Sequence, residues 1–170
     1  MKKIKTLFAA VTILLSTTAF AQKFEFAAKD INNKNITEAV FADSKLTMVN
    51  IWGTFCGPCI SEMPDLGKLN KDYAEKGFQV AGIVIDAANR KGNMVPKTVE
   101  AAKKIVKQTG ADYLHIVPDS KMQSGVLADV MAVPTTFFVD KDGNIVGEVY
   151  TGSRSYSDWQ KIVEELLKKV

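Results

Sequence analysis

Short, nearly continuous apolar runs alternate with longer stretches of helical spacing along this chain. Leu46-Thr47-Met48-Val49-Asn50-Ile51 and Phe78-Gln79-Val80-Ala81-Gly82-Ile83-Val84-Ile85 read as strands covered on both faces of a sheet. Between them Ile60, Met63, Leu66, Leu69 and Tyr73 mark the buried side of a helix, with Pro64 as a kink and Gly77 as its end. A βαβ unit results. After a polar loop at 86–94, a helix is predicted over 96–109, with Val99, Ala102, Ile105 and Val106 inward and Gly110 as the stop. A short strand follows at 113–117, then a second short helix over 121–130 with Met122, Val126 and Val130 on one side. The run 131–139 is a strand entered through Pro134, and Asp140-Lys141-Asp142-Gly143-Asn144 turns it into an antiparallel partner over 145–150. The final helix is expected over 155–169, burying Trp159, Ile162, Val163 and Leu166. At the front, Phe24-Glu25-Phe26 alternates like a strand, and Asn32-Asn33 leads to Ile36-Thr37, so a peripheral β-hairpin closes one edge.

Residues 1–21 stand apart from this pattern. Lys2, Lys3 and Lys5 precede an apolar stretch over 7–15, and Ala19-Phe20-Ala21 is a small-x-small cleavage site, so a secretory signal peptide is expected, cut before Gln22 or kept as an anchor. Those three lysines account for the whole excess of 22 basic over 19 acidic residues. The remaining chain, 22–170, is neutral by this count and forms one domain, with no basic run that would suggest nucleic acid or an anionic membrane as partner. An exported chain of this kind works in the periplasm or another extracytoplasmic space, and it is expected to be a monomer.

The chemistry lies in Trp52-Gly53-Thr54-Phe55-Cys56-Gly57-Pro58-Cys59, where the first central strand turns into its helix. These two cysteines are the only ones in the protein. A disulfide closing so small a ring removes little chain entropy, so a purely structural bridge is poorly motivated. At a helix start, unpaired N–H groups and the positive end of the dipole favour a thiolate, which makes Cys56 the nucleophile and Cys59 the resolving thiol. Gly57 leaves the sulfur open to a bulky partner, and Pro58 fits the first helical turn. A closed zinc site would need four ligands, and the single histidine, His115, is far downstream. Haem attachment would need histidine where Ile60 stands. Copper(I) held by both thiolates with Met63 remains an alternative.

With these residues in view, the chain resembles the thioredoxin superfamily, through Trp52 to Cys59, Pro64, and Val133-Pro134-Thr135 before the last hairpin. More narrowly it is similar to the extracytoplasmic TlpA/ResA-like branch, through the leader, Val49-Asn50-Ile51-Trp52, an added helix and strand within 86–119, and Thr135-Thr136-Phe137-Phe138-Val139-Asp140-Lys141-Asp142-Gly143. The likeness spans residues 24–170. It implies an α/β, thioredoxin-like fold, with a central mixed sheet of four or five strands, helices on both faces, a helix-strand insertion and an N-terminal β-hairpin. It also implies a cis bond between Val133 and Pro134, with the backbone of Val133 pairing with a bound polypeptide. Trp52, Phe55, Gly57, Pro58, Val133 and Pro134 are thus the expected substrate-binding residues. Two departures bear on mechanism. Phe55 stands where this branch usually has tryptophan, and Asn50 stands where cytosolic thioredoxins have a buried acid. Glu62, three residues after Cys59, matches an acid of the ResA-like members and is the candidate proton acceptor, the alternative being a solvated glutamate at the positive end of the helix.

The resemblance implies a thiol-disulfide oxidoreductase that carries electrons on the Cys56–Cys59 pair with no other cofactor. It would reduce disulfides of exported proteins and be recharged by a membrane electron donor. Reducing and oxidising members of such a superfamily differ by about 150 mV, roughly 7 kcal/mol, and Gly57-Pro58 resembles the reducing end. The rivals are a disulfide oxidant or isomerase on the same fold, a peroxide reductase for which Thr54 is a poor match, and the copper-binding protein.

Overall fold

The computed structural model describes residues 23–170. The expected signal peptide lies outside them. Among the described residues seven strands form one sheet: β1 (Ala27–Asp30), β2 (Asn35–Thr37), β3 (Leu46–Trp52), β4 (Phe78–Val84), β5 (Leu114–Val117), β6 (Thr135–Asp140) and β7 (Ile145–Thr151). The spatial order is β2-β1-β5-β4-β3-β6-β7. β3, β4 and β5 run parallel, while β1, β6 and their outer neighbours join antiparallel. The sheet is therefore wider than four or five strands. β1 and β2 extend it past β5, whose outer edge would otherwise present unpaired backbone groups.

Helices α1 (Gly57–Tyr73), α2 (Pro96–Thr109) and α4 (Tyr156–Leu166) share one face. Leu46 and Met48 of β3 pack there with Leu66, Leu69, Trp159 and Val163, and Trp52 packs with Cys59, Met63, Val99 and Ala102. α1 runs through Pro64 without interruption. α2 has the expected bounds, starting on Pro96 and ending at Gly110 with φ of 65°.

The opposite face is covered more thinly. Val49, Ile51 and Phe137 meet Phe24, Phe26, Phe41 and Met122, the last from the short helix α3 (Ser120–Ser124) and Phe41 from the 3-10 turn Glu38–Phe41. The Phe24 ring centroid lies 5.9 Å from that of Phe41 and 5.3 Å from that of Phe137. Three expectations are corrected here. Phe24 and Phe26 do alternate inward, but the strand begins only at Ala27, because the Phe24 amide goes to the carbonyl of Gly143 and the Phe26 amide to the carboxylate of Glu38. The helix expected over 121–130 stops at Ser124, since Gly125 adopts a non-helical backbone (φ −106°, ψ −111°). α4 is also shorter than 155–169, with Ser155 as its N-cap.

Candidate active site

β3 ends at Trp52 and α1 begins at Gly57, so the loop between them delivers Cys56 to the helix N-cap position. There the Cys56 sulfur accepts a hydrogen bond from the Cys59 amide at 3.2 Å. That is the orphan-donor environment that favours a thiolate when the pair is reduced. The two cysteines are joined as a disulfide. Cys56 is 6% exposed and Cys59 fully buried, so an incoming sulfur meets Cys56 first. Asp86, just past β4, pins the loop by accepting from the Thr54 amide (3.1 Å) and hydroxyl (2.5 Å).

The peptide bond between Val133 and Pro134 is cis, and the Val133 carbonyl oxygen lies 3.6 Å from the Cys56 sulfur. Residues 77 positions apart in sequence are thus brought to one point. Gly57 and Pro58 are exposed beside them, Val133 is half-buried and Pro134 is buried. Phe55 is 71% exposed, and its ring folds back over Gly53, where a Cβ would come within 2.6 Å of it. Trp52 departs from expectation: it is fully buried and supports the cysteine turn from beneath, so it offers no contact surface to a client.

Behind the pair sits Glu62, one helical turn after Cys59 and 4% exposed. The solvated alternative is therefore excluded. One carboxylate oxygen accepts from the Asn50 side-chain amide at 3.0 Å and the other from the Arg154 backbone N–H at 3.0 Å. Asn50 also donates to the Thr136 hydroxyl at 3.0 Å, which ties α1, β3 and β6 together at this point. Burial is the largest influence on the Glu62 carboxyl and pushes its pKa above the ordinary value, partly offset by those donors. The Trp159 indole N–H lies near enough to favour the charged form as well, though its geometry falls short of a hydrogen bond.

His115 is not a base for the cysteines. It is buried within β5, where Nδ1 accepts from the Trp52 indole at 3.3 Å and Nε2 donates to the Ala111 carbonyl at 3.0 Å. Burial pushes its pKa down to about 4, so it is a neutral brace beneath Trp52. Met63, the third copper ligand considered above, is fully buried in the core, and among the described residues no group of three His, Cys, Asp or Glu is placed to hold a metal ion. Asp86, Thr136 and Arg154 join the site although the sequence assigns them no role in it. Only Asp86 carried a signal, an acid directly after a central parallel strand.

The Redoxin family model matches residues 16–161. The chain belongs to the redoxin family. It is 32% identical over 145 residues to the thiol-disulfide oxidoreductase ResA of Bacillus thuringiensis subsp. konkukian (strain 97-27), covering 85% of this chain and 74% of that one. Among solved structures, a thiol:disulfide interchange protein of the thioredoxin family from Chlorobium tepidum TLS matches with a TM-score of 0.67 and 26% identity, covering 88% of this chain and 99% of that one. A putative thiol:disulfide interchange protein DsbE from Chlorobium tepidum matches with a TM-score of 0.68 at 23% identity, over 86% and 96% of the two chains, and supports the fold. This redoxin is thus a ResA-like thiol-disulfide oxidoreductase with a thioredoxin-like fold. No helix among its described residues is long and apolar enough to cross a membrane.

Proposed function

We propose that the chain reduces disulfides of exported proteins in an extracytoplasmic compartment, with the Cys56–Cys59 pair as its only electron carrier. The Cys56 thiolate attacks a client disulfide, forming a Cys56–client bond and expelling the other client sulfur as a thiolate. Cys59 then passes its proton to Glu62 and attacks the Cys56 sulfur, closing the internal disulfide and releasing the second client thiolate. Two electrons have moved to the client, whose thiolates take up protons. A membrane electron donor returns the pair to the dithiol. The three groups that act on the client, Cys56, Cys59 and Glu62, all come from one chain, which supports a monomeric unit.

The observation that carries this reading is the arrangement of the pair: Cys56 at the N-cap and near the surface, Cys59 sealed, and a buried carboxylate one turn behind it. The reducing direction is supported by Gly57-Pro58. Its test is the reduction potential of the pair together with turnover of insulin disulfides by the reduced chain. A potential near that of thioredoxin, about −270 mV, with turnover is the expected result. A value near about −120 mV would make the chain an oxidant instead.

A further inference from the structure

Both oxygens of the Glu62 carboxylate meet N–H groups. Oε1 accepts from Asn50 Nδ2 and Oε2 from the Arg154 backbone N–H, each at 3.0 Å. The Trp159 indole, which can only donate, lies beside them with no hydrogen-bond partner of its own among the described residues. This is the bonding set of an anion. A protonated carboxyl at the same place carries an O–H that needs an acceptor, and a buried O–H without one is costly. Neither the Arg154 N–H nor the indole can accept. The Asn50 side chain can: its Oδ1 is buried with no partner among the described residues, on the same amide whose Nδ2 already bonds Glu62 and the Thr136 hydroxyl. The buried Tyr113 hydroxyl, also without a partner among the described residues and near enough to feel the Glu62 charge, makes no hydrogen bond to it.

We propose that Asn50 is a positioning residue whose side-chain amide turns over when Glu62 takes the Cys59 proton. This rests on the reading above of Glu62 as proton acceptor and adds the residue that lets a buried carboxyl serve in both of its states. The Cys59 S–H bond breaks and an O–H bond forms at Glu62 Oε1, leaving the thiolate that attacks Cys56. A half-turn of the Asn50 amide puts Oδ1 where Nδ2 stood, and it then accepts from the Glu62 O–H and from the Thr136 hydroxyl, which changes from acceptor to donor. An amide oxygen and an amide NH2 are close in size, so the exchange fits a packed interior, and this asparagine torsion is soft. The other charged or titratable groups facing Glu62 are the Arg154 guanidinium, 5.0 Å above the Tyr150 ring and 5.1 Å above that of Trp159, and Tyr113, which burial keeps protonated. Neither bonds Oε1 in place of Asn50.

The first measurement is NMR on the wild-type disulfide form. The Glu62 carboxyl carbon reports its own titration, and nuclear Overhauser contacts from the Asn50 amide protons report which way the amide points. Above the Glu62 titration those protons are expected to contact Thr136 Hβ, and below it that contact is lost; in Glu62→Gln it no longer changes with pH. A contact that persists while Glu62 titrates, or a Glu62 that does not titrate while the protein is folded, would overturn the proposal. The second measurement is mixed-disulfide resolution by Asn50→Ala, which loses donor and acceptor together. Resolution is expected to slow about tenfold, the worth of one hydrogen bond, with its pH limb near the wild-type position. A limb moved up by about one unit or more, with an unchanged plateau, would make Asn50 a fixed donor and overturn the proposal. If the Asn50 contact persists while Glu62→Gln abolishes the limb, the amide turn alone is refuted; if Glu62→Gln keeps the limb, the reading of Glu62 as acceptor falls too.

Discussion

Gly82 and His115 stand opposite each other in register on β4 and β5, and a Cβ on Gly82 would lie 2.6 Å from His115 Nδ1 and 2.9 Å from the Trp52 indole nitrogen. The glycine thus makes room for the hydrogen bond that braces Trp52 under the cysteine turn. Gly82→Ala is expected to cost about 1–3 kcal/mol, because overpacking here displaces buried rings that have nowhere to move. A denaturant midpoint shift reads this directly, and an unchanged midpoint would show that the His115–Trp52 contact is not tightly packed.

His115 also sets a pH dependence. Its folded pKa of about 4 lies below the ordinary 6.5, so between those values the unfolded chain binds a proton that the folded chain does not. Stability is therefore expected to fall as pH drops from 7 toward 4, by up to roughly 3 kcal/mol from this group. His115→Gln should flatten the slope of urea midpoint against pH over that window. Glu62 works in the opposite sense. Its raised carboxyl pKa contributes stability at low pH that is lost as pH rises through the folded value, so Glu62→Gln should steepen the acid loss.

The same carboxyl should govern resolution of the mixed disulfide. Wild-type resolution is expected to accelerate as pH rises through the elevated Glu62 pKa, because only the carboxylate can accept the Cys59 proton. Glu62→Gln should lose this limb and slow the step by about 100-fold, the lower range for general-base catalysis. Asn50→Asp would place a second carboxyl against Glu62, and like-charge repulsion should move the limb to higher pH. Rapid-mixing kinetics on a preformed mixed disulfide tests both, and identical profiles in all three proteins would remove Glu62 from the mechanism.

The Cys-Gly-Pro-Cys turn and its setting were legible because the signals are local. Strand residues 46–52 and 78–84 carry nearly continuous apolar runs, and α2 carries Pro96 at its start and Gly110 just past its end. What escaped is set by distant partners. Phe24 and Phe26 alternate as strand residues do, yet their amides find Gly143 and Glu38 instead of a ladder. Val126 and Val130 have helical spacing, but one glycine ahead of them ends the helix. His115 reads as an isolated residue until register sets it opposite Gly82. Glu62 looked equally suited to solvent or burial. Asn50, Thr136 and the Arg154 backbone decide between them, and these come from β3, β6 and the approach to α4.

The division of labour between the two sulfurs is tested most directly by trapping. Reduced Cys59→Ala and Cys56→Ala proteins are each mixed with a disulfide-bearing peptide, and the covalent adducts are mapped by mass spectrometry. Cys59→Ala is expected to accumulate peptide on Cys56, while Cys56→Ala, left with a fully buried thiol, should capture almost none. Equal capture by both variants, or an adduct carried on Cys59, would contradict the account.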